Sequence, residues 1–353
     1  MNPYWSALAR ELHPYTPGEQ PRIADLVKLN TNENPYPPSP KALDAIRAAA
    51  NGDLRLYPDP EARALREALA SYHGVAAENI FVGNGSDEVL AHAFAALLKH
   101  DKPLLFPDVT YSFYPVYAQL TGVTYETVPL DAEMRVRIAD YRRPCGAIIL
   151  ANPNAPTGIV LDLAEIARLV DEHPDLPVVI DEAYIDFGGE SALKLLPGRP
   201  NLLVIRTMSK SRALAGLRVG YAIGDAGLVE ALVRVKDSFN SYPLGRPAQA
   251  GATASVEDEP YLQDTVAKVI RSREAMTRGL TELGFAVLPS SANFVFARPP
   301  KLSGAEWTRA LRERRVLVRN FQKPRIADYL RISVGSDSDV AALLDACYRI
   351  LHT

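Results

Sequence analysis

Six short apolar runs constrain this chain more than any other feature: residues 104–106, 124–128, 147–150, 178–180, 202–205 and 219–223. Continuous runs of this length fit strands buried on both faces, as in a parallel sheet packed between helices. Helical stretches at 111–120, 163–172 and 225–236 fall between several of them. Upstream, 41–50 and 61–73 read as helices, with Leu65 and Leu69 on one face, and 80–82 as a short strand. Ser86 is expected to cap the next helix, 89–99, with Asp87 and Glu88 in its first turn. Strands alternating with helices predict an α/β domain with a mainly parallel central sheet.

Beyond Asn240 the pattern changes. Residues 258–283 form one long helical pattern. Strand-like 285–288 and 294–297 follow, then a helix at 305–314, strands at 316–318 and 329–333, and a last helix from Asp337. The expected organisation is a large α/β domain over 31–240 and a smaller α+β domain from 1–30 and 241–353, with an N-terminal arm. The first 30 residues show little periodicity and are expected to pack on the smaller unit or on another subunit.

Composition removes several functions. A length of 353 residues suggests two or so structural units. The net charge of -3 gives no basic footprint for nucleic acid. Cys145 and Cys347 allow neither a disulfide framework nor a Cys-rich metal site, so no metal is expected and a reduced, cytoplasmic setting is. No apolar run approaches the roughly 20 residues of a membrane span, and Met1 to Arg10 lack a signal pattern. Gly83-Asn84-Gly85 begins like a dinucleotide fingerprint, but the third glycine is replaced by Glu88. Walker, His-Glu-x-x-His and Gly-x-Ser-x-Gly motifs are absent.

Four segments each follow an expected strand, where ligands of open α/β sheets collect. They are Gly83-Asn84-Gly85-Ser86-Asp87-Glu88, Asn152-Pro153-Asn154-Ala155-Pro156-Thr157-Gly158, Asp181-Glu182-Ala183-Tyr184, and Ser209-Lys210 with Arg218. Singly, each has an ordinary structural reading as a turn, a cap or a surface charge. Together they match one molecule. A phosphate wants the helix-start donors at Ser86 and Asp87, the Ser209 hydroxyl and Arg218. A pyridinium nitrogen wants the Asp181 carboxylate, a carbonyl wants the Lys210 amine, and a phenolate oxygen wants Tyr184 and an Asn. That list describes pyridoxal phosphate.

The order Asn-Pro-x-x-Pro-Thr-Gly, Asp-Glu-Ala-Tyr and Ser-Lys-x7-Arg resembles fold-type I, class II aminotransferases. Leu29-Asn30-Thr31-Asn32-Glu33-Asn34-Pro35, Leu56-Tyr57-Pro58, Asp181-Glu182-Ala183-Tyr184-Ile185-Asp186-Phe187 and Ala215-Gly216-Leu217-Arg218-Val219-Gly220-Tyr221 are similar to the histidinol-phosphate aminotransferase family. The resemblance covers the chain from about Tyr15 to the end. It implies exchange of an amino group between L-histidinol phosphate and 2-oxoglutarate, giving imidazole-acetol phosphate and L-glutamate in histidine biosynthesis. Aromatic or broad-specificity aminotransferases and threonine-phosphate decarboxylases are close alternatives.

The resemblance also implies roles. Lys210 bonds the cofactor and moves the proton, Asp181 faces the ring nitrogen, and Tyr184 faces the phenolic oxygen. Tyr111 stacks on the ring, a role for which Tyr114 and Tyr117 compete. Tyr57 reaches the phosphate from the other subunit, so a homodimer is implied. Arg319 and Arg331 hold the substrate's anionic group, with Tyr15 and Asn293 in the same pocket. One departure stands out: relatives carry Asn directly before Pro-Thr-Gly, and this chain has Ala155. Either Asn154 replaces it, or Tyr184 holds the oxygen with less help.

Overall fold

The computed structural model describes residues 3–21 and 23–352. Met1 and Asn2, at the head of the expected N-terminal arm, Arg22 within it, and Thr353 lie outside the described residues. The apolar runs assemble into one seven-stranded sheet. Its spatial order is Ile80–Asn84, Val219–Gly224, Leu202–Thr207, Val178–Asp181, Ala147–Ala151, Leu104–Pro107 and Tyr125–Val128. Only Val219–Gly224 runs against its neighbours; the rest are parallel. Every residue of the strands Ala147–Ala151, Val178–Asp181 and Leu202–Thr207 is buried. Burying a Val, Leu or Ile side chain contributes about 1.5–3 kcal/mol, which is why these runs carry no polar alternation. The expectation of two buried faces fails at Tyr125–Val128, where three of four residues are exposed. It is an edge strand with one neighbour.

Helices Gly85–Ala96, Tyr114–Thr121 and Ala226–Phe239 cover one face through Val89, Phe94, Tyr117 and Leu232. Leu163–Glu172 packs on the other through Ile166 and Leu169. Arg63–His73 and Arg246–Val256 pack with Val219 and Tyr221. The helix after the first strand starts at Gly85, so Ser86 is its second residue and not the expected cap. Two glycines allow this junction. Gly85 has φ +76°, and a Cβ there would lie 2.5 Å from an Arg218 nitrogen. A Cβ on Gly220 would lie 2.2 Å from the Ser86 amide nitrogen.

The later residues build a four-stranded antiparallel sheet in the order Arg319–Asn320, Leu330–Ser333, Phe294–Arg298, Ala286–Val287. Helices Glu259–Glu282, Gly304–Glu313 and Asp337–His352 bury Trp307, Met276 and Leu343 against it. The arm joins this unit: Val27–Lys28 pairs in parallel with Val316–Leu317. Cys145 and Cys347 are both buried and free. No helix of the described residues is long and apolar enough to cross a membrane.

Candidate active site

The register of the sheet gathers the chemistry at one edge. Asp181 ends its strand beside Ile205 and Ala151, and Asn84 lies beside Val219. Because Val219–Gly224 is antiparallel, its beginning lies at the same edge as its neighbours' ends, and Arg218 joins Ser209 and Lys210 there. A cavity of about 230 Å³ opens over this edge. Its wall includes Ser86, Asp87, Tyr111, Asp181, Tyr184, Ser209, Lys210 and Arg218 from the large sheet's loops. Tyr15, Asn30, Thr31, Asn32, Glu33, Arg319 and Arg331 complete it from the arm and the smaller sheet.

One end is built for an anion. The helix Gly85–Ala96 begins there, so its first backbone N–H groups and its dipole face the cavity. Arg218 donates to Asp87 Oδ2 at 2.7 Å. Ser209 Oγ accepts from Thr207 at 3.0 Å, which leaves the Ser209 proton to donate. Asp87 Oδ1 accepts from Tyr111 and Tyr117 at 3.1 and 3.3 Å, so its carboxylate is tied back.

The centre holds a carboxylate and an amine. Asp181 is 5% exposed, and no Lys or Arg nitrogen among the described residues pairs with it. Its oxygens accept from the Tyr114 hydroxyl at 3.0 Å and the Ala183 amide at 3.2 Å. Burial pushes its carboxyl up to about 6, against those two hydrogen bonds. Lys210 Nζ donates to the Thr31 carbonyl at 3.3 Å and lies 5.8 Å from the centre of the Tyr184 ring. Asn34 Nδ2 holds the lysine's backbone by donating to the carbonyls of Lys210 and Ser211. Tyr111 lies on the cavity wall, whereas Tyr114 and Tyr117 are buried beneath it.

The far end carries two cations. Arg331 donates to the Asn30 carbonyl at 2.8 Å, while its buried Nε has no partner. Burial holds its guanidinium below the usual range. Arg319 donates to the carbonyls of Thr16 and Pro17. Tyr15 lies against the Phe113 ring, 4.8 Å between centroids.

Two sequence expectations change, those for Asn154 and Asn293. Asn154 does not reach the cavity. Its Nδ2 donates to the Val109 carbonyl and Thr157 Oγ1, and its Oδ1 accepts from Thr110, so loop bonds consume its amide. Ala155 occupies the wall instead. Asn293 stands behind the wall, fully buried, donating to the Asn32 carbonyl at 3.0 Å. Tyr57 lies outside this chain's cavity; it is 77% exposed and stacked on Tyr242. Sequence reasoning missed Tyr114 as the donor to Asp181 and gave no role to Asn30 or Asn32. The available signal was two asparagines at alternate positions just after the strand Val27–Lys28, both of which prove buried.

Fold and site together define an amino-group transferase, and the chain belongs to the aminotransferase class I and II family, whose sequence pattern matches residues 24–347. Two similar proteins mark the branch. Histidinol-phosphate aminotransferase 2 of Rhizobium meliloti is 65% identical over 99% of this chain and 100% of its own length. Histidinol-phosphate aminotransferase 1 of Bradyrhizobium diazoefficiens is 62% identical over the same shares. Among solved structures, histidinol-phosphate aminotransferase from Sinorhizobium meliloti in complex with pyridoxal-5'-phosphate superposes with a TM-score of 0.87 at 27% identity. That match covers 99% of this chain and 98% of the other.

Proposed function

We propose that this chain transfers the amino group of L-histidinol phosphate to 2-oxoglutarate, using pyridoxal phosphate held in the cavity. The observation that carries the reading is Asp181: a buried carboxylate without a cation, sharing a cavity with the Lys210 amine. A protonated ring nitrogen fits that position, because it supplies the missing positive charge. The helix start at Gly85 to Asp87, Ser209 and Arg218 fit the phosphate, Tyr184 the phenolic oxygen and Tyr111 the ring face.

When bound, pyridoxal phosphate supplies an aldehyde that bonds the substrate amine and a ring that draws electrons from the substrate's α carbon. The protein does the rest. Lys210 Nζ, in its neutral form, would take the proton from the substrate's α carbon and give it to the former aldehyde carbon, on the other side of the amine nitrogen. Ionised Asp181 keeps a proton on the ring nitrogen. Arg331 and Arg319 orient the substrate by its phosphate, or by the distal carboxylate of glutamate in the other half-reaction. The relatives at 62–65% identity support the same substrate.

The reading includes a homodimer in which Tyr57 serves the neighbouring cavity. Exposed Leu54, Leu56, Tyr57, Phe239 and Tyr242 support an apolar face there. We also infer two domains, with the smaller one taking residues 1–30 and the later part of the chain. Arg246–Val256 packs with the large sheet's core, which moves the inferred boundary from 240 to about Asp258. Two free, buried cysteines support a cytoplasmic setting. The test is a half-reaction: the visible band of the holoenzyme should be lost on adding histidinol phosphate and restored by 2-oxoglutarate. Loss with phenylalanine but not histidinol phosphate would favour an aromatic aminotransferase.

A further inference from the structure

Ala155 lines the cavity where the resemblance expects an Asn donor, and Asn154, bonded to Val109 and Thr157, does not supply one. The geometry points to Asn32 as the positioning residue that makes up the deficit, by holding the Tyr184 hydroxyl so that its proton is donated to the cofactor's phenolic oxygen. This inference rests on the pyridoxal phosphate reading above.

Asn32 Nδ2 donates to Tyr184 Oη at 3.0 Å. A phenol that already accepts has its own proton left to give, and no described residue accepts it. Ser333 fits one orientation of the Asn32 amide. The Asn32 backbone N–H donates to Ser333 Oγ at 2.8 Å. Ser333 Oγ in turn donates to Asn32 Oδ1 at 3.0 Å, and Nδ2 faces Tyr184. Asn293 Nδ2 fixes the Asn32 carbonyl from behind, at 3.0 Å. Asn32, Ser333 and Asn293 are all buried, so these bonds have little competition from water.

The network also ties the two ends of the site together. Ser333 lies two residues after Arg331 on the strand Leu330–Ser333, so the two side chains share a face. The strand that presents the substrate-binding cation thus also sets the amide that orients Tyr184.

The test uses holoenzyme without substrate. The pH midpoint of the visible absorbance change of bound cofactor is measured in wild type, Asn32→Ala, Ser333→Ala, Tyr184→Phe and the Asn32→Ala/Tyr184→Phe double variant, beside the dissociation constant for pyridoxal phosphate. A phenolate that receives a weaker hydrogen bond is harder to keep ionised. The midpoint should therefore rise by about 0.5–1 pH unit in Asn32→Ala, and by less in Ser333→Ala. The double variant should match Tyr184→Phe alone, and cofactor affinity should fall in each. An unmoved midpoint in Asn32→Ala, or a shift that adds in full to that of Tyr184→Phe, overturns the inference. If Asn32→Ala does not fold, Ser333→Ala and its double with Tyr184→Phe are judged by the same two criteria. Failure of the cofactor reading looks different: wild type would show no visible band.

Discussion

Arg319 and Arg331 stand directly opposite each other on neighbouring antiparallel strands. Like charges in that relationship repel. Arg331 is partly buried as well, its Nε buried and unpartnered, and no described carboxylate pairs with either arginine. The pair makes physical sense when an anion completes it. Arg331→Ala should weaken both histidinol phosphate and glutamate, by about 2–5 kcal/mol in kcat/KM if an anion is left buried without its partner. Tyr15→Phe should cost about 0.5–1.5 kcal/mol, mainly on the phosphate substrate. Equal kcat/KM values for Arg331→Ala and wild type on both substrates would remove this assignment.

Asp181 gives a prediction whose sign changes with the cofactor. Its carboxyl is raised from 3.8 to about 6 by burial, so the folded chain binds its proton more tightly than the unfolded chain. The resulting stability loss develops as pH rises from about 4 to about 6 and stays in full above that. Two or so pH units correspond to up to about 3 kcal/mol. At pH 7, Asp181→Asn should therefore melt at or above wild type without cofactor. With pyridoxal phosphate the order should reverse, because the paired charge is gone. A lower melting temperature for Asp181→Asn in both conditions would mean that the carboxylate serves the fold alone.

Asn154→Ala separates a loop brace from a cofactor ligand. The side chain makes three hydrogen bonds within its surroundings. Its removal should lower stability by about 1–3 kcal/mol. The pH midpoint of the visible band should stay where it is, in contrast to Asn32→Ala. A midpoint shift at full cofactor occupancy would return Asn154 to the site.

Tyr57 predicts shared sites. Lys210→Ala and Tyr57→Ala subunits, each weakly active alone, should regain activity when mixed, because a mixed dimer holds one site with both residues intact. Absence of recovery after demonstrated subunit exchange would place Tyr57 outside the partner's cavity.

The strand ends were legible because strand C-termini in a parallel sheet carry ligands. That rule and the residue types point to Asp181, Lys210, Ser209 and Arg218 from the sequence alone. The parallel core was legible from runs such as 178–180 and 202–205, since a strand buried on both faces has no room for polar alternation. Residues 124–128 resemble those runs, but an edge position depends on tertiary order, which local pattern does not carry. Ser86 could be read as a cap because Ser favours that position; the close approach of Gly220 and Arg218 instead lets the helix begin at Gly85. Asn32, Ser333 and Asn293 meet from segments some 260 to 300 residues apart. No spacing rule reaches that far. The choice between Asn154 and Tyr184 is not legible for a related reason: an amide in a loop is equally suited to a ligand or to its own backbone, and only the positions of Val109 and Thr110 decide.

The central claim is that Lys210 is the residue to which pyridoxal phosphate bonds. Borohydride reduction of the yellow holoenzyme, followed by digestion and mass analysis of the labelled peptide, tests it most directly. The account predicts a single pyridoxyl label on Lys210, and no stable label in Lys210→Ala under the same conditions. A label on another lysine, or an undiminished label in Lys210→Ala, would contradict it.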